Sequence, residues 1–271
     1  MCAGFGTRLK PLTDEVPKPA IPFMGRPMVW YALNRLKSAG ITQIAANVHH
    51  LPDKMISCLE TCASDLGLPQ IAVFREQNGI LGTGGGARAC MKLLPDSARF
   101  VIYHGDVICN ADISEAVCSH IESGCDISLV VAPRTPGSKL GMVGVDNDNH
   151  IVCIRDWFRK GCNADTPFQP CCFTGIHIVE RHILESLPEN TNICMVTEVY
   201  RTCLEKGIRI HACHTSRFFA DIGTPQTYIE ARDAVIQNPL ILPDALIPDD
   251  GTDLTPVQIR LAFEQQNGQN S

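Results

Sequence analysis

The sequence predicts an α/β fold: a mixed, mainly parallel sheet with helices on both faces. Two observations carry that expectation. Short apolar runs alternate with longer amphipathic segments along most of the 271 residues, and this rhythm buries a sheet between helices. Hydrophobic residues make up 45% of the chain and charged residues 19%. That is enough apolar material for a core and too little charge for a disordered chain.

The elements follow in order. Pro27 to Ala39 reads as a helix: Pro27 suits a first helical position, Val29, Leu33 and Leu36 form an apolar stripe, and Gly40 fits the C-terminal cap. Ile44 to Val48 is a buried strand, Pro52 to Ser64 a second helix, and Ile71 to Phe74 a short strand. Gly84 to Leu94 is helical after a glycine-rich entry, and the strand Phe100 to Tyr103 ends at His104-Gly105-Asp106. Ile113 to Ser123 is a helix and Ile127 to Ala132 a strand. Met142 to Val145 and Ile151 to Ile154 pair around the turn-rich Asp146-Asn147-Asp148-Asn149. Phe173 to Val179 is a strand, Arg181 to Ser186 and Met195 to Glu205 are helices, and Ile208 to Cys213 is a strand. Thr224 caps a last helix with Pro225 at its first position. The pattern fades after Asn238. One domain is expected over residues 1–238. Residues 239–271, with four prolines and a polar end, read as a loosely attached tail with no β-helix domain.

Composition narrows the function classes. The net charge is −6, so the basic face of a nucleic-acid binder is not expected. No apolar run approaches the roughly 20 residues that span a bilayer, and Gly4, Gly6, Arg8 and Lys10 interrupt any signal-peptide core. The 14 cysteines include no Cys-x-x-Cys pair. They read as small buried hydrophobes in a reducing, cytoplasmic setting.

The first residues are the richest in chemistry. Ala3-Gly4-Phe5-Gly6-Thr7-Arg8-Leu9 is a glycine-punctuated loop whose backbone N–H groups can approach a phosphate, with a hydroxyl and a permanent charge beside them. Lys18 stands between Pro17 and Pro19, which fix one φ and push Lys18 toward an extended backbone. A functional lysine and an ordinary surface lysine are equal readings there. Asp106 and Asp221 each read alone as a strand-end or turn residue. Both follow predicted strands, where open α/β sheets place their ligands. The Gly82-Thr83-Gly84-Gly85 run reads as a close backbone approach to a base; Glu76 reads either as a contact to ribose or base or as a solvated residue. His49 and His50 point to opposite faces of a strand and share no ion; Asn47 and His49 shape a pocket wall.

Taken together, Ala3 to Thr13 and Pro17-Lys18-Pro19 resemble the opening motif of the sugar-1-phosphate nucleotidyltransferases, the NDP-sugar pyrophosphorylases. Glu76 to Gly86, Gly105-Asp106-Val107 and Phe219 to Pro225 resemble that family's nucleobase loop and two metal-binding segments, in the same order. The resemblance implies a Rossmann-like nucleotide-diphospho-sugar transferase fold and transfer of NMP from an NTP to a sugar-1-phosphate, as monomer or homo-oligomer. It implies catalytic roles for Arg8 and Lys18, nucleotide contacts from Ala3, Gly4, Gly6, Thr7, Glu76, Gly82 and Thr83, and Mg²⁺ held by Asp106 and Asp221. Asp156, Thr174 and Gly175 would contact sugar, although Ile154-Arg155-Asp156-Trp157 departs from the usual Glu-Lys-Pro there. That stretch is closer to short members such as N-acetylmuramate-1-phosphate uridylyltransferases and mannose-1-phosphate guanylyltransferases. The alternatives are a cytidylyltransferase acting on phosphocholine or a similar acceptor, and a non-catalytic nucleotide-sugar-binding homologue. In the family an apolar strand runs into the glycine loop. Here only Met1 and Cys2 precede Ala3, so a missing or truncated first strand is expected.

Overall fold

The computed structural model describes residues 1–134 and 141–246; most of the expected tail lies outside these described residues. A 3-10 turn (Thr7–Leu9) and a short α1 (Leu12–Glu15) follow the glycine loop. A second 3-10 turn, Lys18–Ala20, leads into a hairpin of β1 (Pro22–Phe23) and β2 (Arg26–Pro27). α2 (Met28–Ser38) takes Pro27 as its extended N-cap, so it begins one residue later than expected, and Gly40 closes its far end at φ 75°. β3 (Ala45–Val48), α3 (Pro52–Leu66) and β4 (Ala72–Arg75) form a β-α-β unit with parallel strands.

α4 (Gly82–Met91), β5 (Arg99–Tyr103), β6 (Val107–Cys109), α5 (Ile113–Ser123) and β7 (Ile127–Pro133) come next. β8 (Met142–Val145), β9 (Ile151–Ile154) and β10 (Trp157–Phe158) make an antiparallel meander before the long strand β11 (Gln169–Glu180). After α6 (Arg181–Glu185), the single helix expected over Met195 to Glu205 is instead a π-helical turn, Met195–Tyr200, continuing into α7 (Arg201–Lys206). The wide turn seats Tyr200 fully buried, with its hydroxyl hydrogen-bonded to His177 Nδ1. β12 (His211–His214), β13 (Phe219–Asp221) and α8 (Pro225–Gln237) complete the set. α8 carries the expected Thr224 cap, reinforced by Thr227 in a capping box.

The chain divides into two compact units. The first comprises Met1–Ile80, His104–Asn110 and the chain from Phe218 onward. Its core gathers Phe23, Met28 and Tyr31 with Met55 and Leu59 of α3, Ile108 of β6, and Tyr228 and Val235 of α8. The Phe23 ring meets Tyr31 and Tyr228 edge-on, with centroids 6.2 and 5.5 Å away. β13 runs antiparallel to β6 and sets Asp221 opposite Val107. β3 pairs with β4 alone among the described residues.

The second unit comprises Leu81–Tyr103 and Ala111–Arg217. Its sheet has the order β10-β9-β8-β11-β7-β12, with β5 also paired to β11. β5 and β7 both run against β11, and β12 runs with β7, so β5, β7 and β12 share one direction. The sheet is mixed, as expected, but its weighting is corrected: most ladders are antiparallel. The cause is β11, which arrives from a meander instead of a helical crossover. α5 packs on β12 and β7, α6 on β11, and α7 on β9 and β10. All fourteen cysteines are free thiols. No helix of the described residues is long and apolar enough to cross a membrane.

Candidate active site

The first unit gathers five of the charged residues singled out above, Arg8, Lys18, Glu76, Asp106 and Asp221. The Lys18 side chain is 8% exposed, and its Nζ lies 2.6 Å from Asp106 Oδ2 and 4.0 Å from Asp221 Oδ1. The β6–β13 ladder makes this convergence, because Asp221 pairs with Val107, the neighbour of Asp106. Burial alone would raise the Asp106 carboxyl, but the Lys18 ammonium, His104 and a backbone hydrogen bond together outweigh it, and the net shift is downward. For Asp221 burial prevails, with Lys18 opposing it and Asp106 adding to it, and the carboxyl is raised.

Lys18 is not extended. Ala20 N donates to Pro17 O at 2.8 Å and Ile21 N to Lys18 O at 3.1 Å, so Lys18 opens a 3-10 turn despite Pro19. Packing against the glycine loop accompanies that conformation. Gly6 stands at φ 61°, and a Cβ there would lie 2.8 Å from Thr13 Cγ2 and 3.0 Å from Lys18 Cβ. Thr13 Oγ1 donates to Gly6 O at 3.1 Å, and His50 Nε2 is hydrogen-bonded to Thr13 O. The half-exposed Phe5 sets its ring edge-on to His49 and His50, at 5.4 and 5.7 Å.

A buried amide ties the loop to Glu76. Asn47 Oδ1 accepts from Cys2 N at 3.0 Å, and Asn47 Nδ2 donates to Glu76 Oε1 at 2.7 Å. Glu76 is 4% exposed. Gly105 N donates to Met1 O at 2.9 Å, and a Cβ on Gly105 would strike Cys2 Sγ at 2.8 Å. Ala3, Gly4, Thr7, Arg8, Lys18, Glu76, Asp106 and Asp221 therefore all belong to this unit. Asn47 was legible as a wall residue. Its double hydrogen bond was not, since two of its partners lie far away in sequence.

The other expected residues belong to the second unit. Gly82, Gly84 and Gly85 are accounted for by packing within it. Added Cβ atoms would meet Ile193 O at 2.5 Å from Gly82 and Thr191 O at 2.2 Å from Gly85, and Gly84 N donates to Ile193 O at 2.8 Å. The close approach of Gly82 and Gly85 within this unit is to the Thr191–Ile193 backbone. Thr83 lies in α4. Thr174 is 1% exposed and donates its hydroxyl to Val130 O at 2.8 Å. Gly175, at φ 82°, sits where the β11–β7 register shifts. Asp156 is exposed on the turn between β9 and β10.

A family model described as "Nucleotidyl transferase" matches residues 1–238. The chain belongs to that family. This nucleotidyl transferase chain is 28% identical, over 231 residues, to a mannose-1-phosphate guanylyltransferase of Mycobacterium tuberculosis, covering 84% of this chain and 61% of that protein. It is 26% identical to a UTP–glucose-1-phosphate uridylyltransferase of Synechocystis, covering 87% and 62%. The chain thus spans about three fifths of the length of these curated relatives. Among solved structures, HddC from Yersinia pseudotuberculosis aligns at TM-score 0.70 and 21% identity, covering 86% of this chain and 96% of that one. The inositol-1-phosphate CTP transferase of T. maritima aligns at 0.66 and 19%, covering 88% and 94%. These likenesses establish the fold: the nucleotidyl transferase chain has the α/β architecture of these enzymes.

Proposed function

We propose that this chain transfers a nucleoside monophosphate from an NTP to a sugar-1-phosphate, giving an NDP-sugar and pyrophosphate. The observation that carries the reading is the convergence of Lys18, Asp106 and Asp221 beside a glycine loop bearing Arg8. In this reaction a phosphate oxygen of the sugar-1-phosphate bonds to the α-phosphorus. The bond from that phosphorus to the bridging oxygen breaks, and pyrophosphate leaves with its electron pair. The nucleophile is already an anion, so no strong base is required. The barrier lies in bringing like charges together and in line.

Each side chain has a task in this scheme. Gly4, Gly6 and Thr7 offer backbone N–H groups and a hydroxyl to the triphosphate, with Ala3 alongside. Arg8 takes the departing pyrophosphate through its planar fork. Lys18 draws the reacting phosphates together. Asp106 and Asp221 suit Mg²⁺: they are hard oxygen donors that already gather around one cationic atom, Lys18 Nζ. Bound there, Mg²⁺ would shield the triphosphate charge. Glu76, held by Asn47, is assigned to the nucleotide with Gly82 and Thr83, and Asp156, Thr174 and Gly175 to the sugar. The free thiols fit a cytoplasmic setting.

The test is a matrix of nucleoside triphosphates against sugar-1-phosphates, read by pyrophosphate release. GTP with mannose 1-phosphate and UTP with glucose 1-phosphate are its first pairs, since relatives act on these. Release that depends on both substrates supports the reading. No release from any pair overturns it.

A further inference from the structure

Gly223 lies two residues beyond Asp221 and is buried. Its backbone is held by two acceptors: its N–H lies 3.0 Å from Asp221 O and 3.0 Å from Thr227 Oγ1. The same Thr227 closes the capping box of α8 with Thr224. The segment from Asp221 to Thr227 is therefore a fixed ledge at the start of a helix. A Cβ on Gly223 would lie 2.8 Å from Arg8 Nη2, 2.9 Å from Nη1 and 3.0 Å from Cζ. All three atoms lie within 3.0 Å, so the end of the guanidinium packs against the side of Gly223 where a Cβ would stand. Gly223 is not among the residues with positive φ, so its backbone conformation is open to any residue. Its three nearest would-be neighbours all belong to Arg8. The absence of a side chain is matched to the guanidinium and not to a turn.

We propose that Gly223 is a positioning residue, a bare seat against which the Arg8 guanidinium packs, so that the segment following Asp221 fixes where Arg8 meets a polyphosphate. This rests on the function proposed above, in which Arg8 takes the departing pyrophosphate. A guanidinium fixed in place meets phosphate oxygens without first having to be ordered. A methyl group on residue 223 takes space that the guanidinium fills and displaces it. Because the displaced group is the far end of a long side chain, the fold itself accommodates the methyl.

The test is a double-mutant cycle of Arg8→Ala and Gly223→Ala, read by pyrophosphate release, melting temperature and a crystal structure of Gly223→Ala. The seat predicts that Gly223→Ala lowers kcat at least tenfold in the presence of Arg8 and changes it less than twofold in the Arg8→Ala background. It also predicts that the guanidinium leaves its position over residue 223. A wild-type rate for Gly223→Ala overturns the proposal, as do equal losses in both backgrounds or an unmoved guanidinium. If Gly223→Ala lowers the melting temperature, Arg8→Ala should restore it; loss of folding in both backgrounds places the clash elsewhere and overturns the seat. A wild-type rate for Arg8→Ala instead removes the role given to Arg8 in the proposed function. The crystal structure then still decides whether residue 223 seats the guanidinium.

Discussion

Lys18 Nζ lies 2.6 Å from Asp106 Oδ2, on a side chain that is almost wholly buried. A buried ammonium between two carboxylates is held by charge, and it stands at the mouth of the glycine loop. If it serves the phosphates, removing it removes transition-state stabilisation. Lys18→Ala and Arg8→Ala should each cut turnover about a hundredfold, on the order of 3 kcal/mol. Pyrophosphate release measures the loss, and circular dichroism checks that the fold persists. Near-normal turnover in both variants would overturn the roles assigned to them.

The two carboxylates give a metal prediction. Activity should require Mg²⁺ or Mn²⁺ and vanish with chelator. Asp106→Asn and Asp221→Asn should each raise the metal concentration needed for half-maximal rate. Full turnover after exhaustive chelation would sink the assignment.

Asn47 links two segments through one amide. Asn47→Ala removes the acceptor for Cys2 N and the donor to Glu76 Oε1. Buried groups that lose partners cost about 1–3 kcal/mol each. The urea midpoint should fall accordingly with an unchanged slope, and Asn47→Asp should not restore it, because it places a second carboxylate against Glu76. An unchanged midpoint in Asn47→Ala would contradict the linkage.

Asp146 supplies a pH dependence. It closes the β8–β9 turn, accepting from His150 N at 2.8 Å, Asp148 N at 3.1 Å and Arg159 Nη2 at 2.9 Å. Burial would raise its carboxyl, but the His150 N–H, the Arg159 guanidinium and the Asp148 N–H outweigh it, and the net shift is downward. A lowered folded pKa means stabilisation that is present above about pH 4, the ordinary aspartate value, and lost as pH falls through the folded value. The stability gap between wild type and Asp146→Asn should therefore shrink below pH 4 in urea titrations. A gap independent of pH would show that the charge contributes nothing.

Much of the fold could be read from local pattern. α5 and α8 match expectation because Asp112 and Thr224 are N-caps whose side chains accept backbone hydrogen bonds. β8 and β9 match because a turn with Asp146 sits between two apolar runs. The meeting of Asp106 with Asp221 was legible only by resemblance. β6 and β13 have three residues each, too few for periodicity, and lie over a hundred positions apart. The glycines from 82 to 85 show the limit of such reading: a glycine marks close approach without saying to what, and within this unit the Thr191–Ile193 backbone comes close. Lys18 misled because the bias of a residue before proline is weaker than the two turn hydrogen bonds that override it.

The threading of the two units sets a timetable for the ribosome. Every ladder of the second unit closes within Leu81–Tyr103 and Ala111–Arg217. The first unit owns the opening of the chain, yet it waits for β13 and α8 from beyond Phe218. Domains fold as units as they emerge, so the part made first is finished last. A nascent chain stalled just after Arg217 would contain every residue of the second sheet. Its glycine loop, Lys18 and Asp106 would already be synthesised, but the second carboxylate and the Gly223 ledge would still be untranslated.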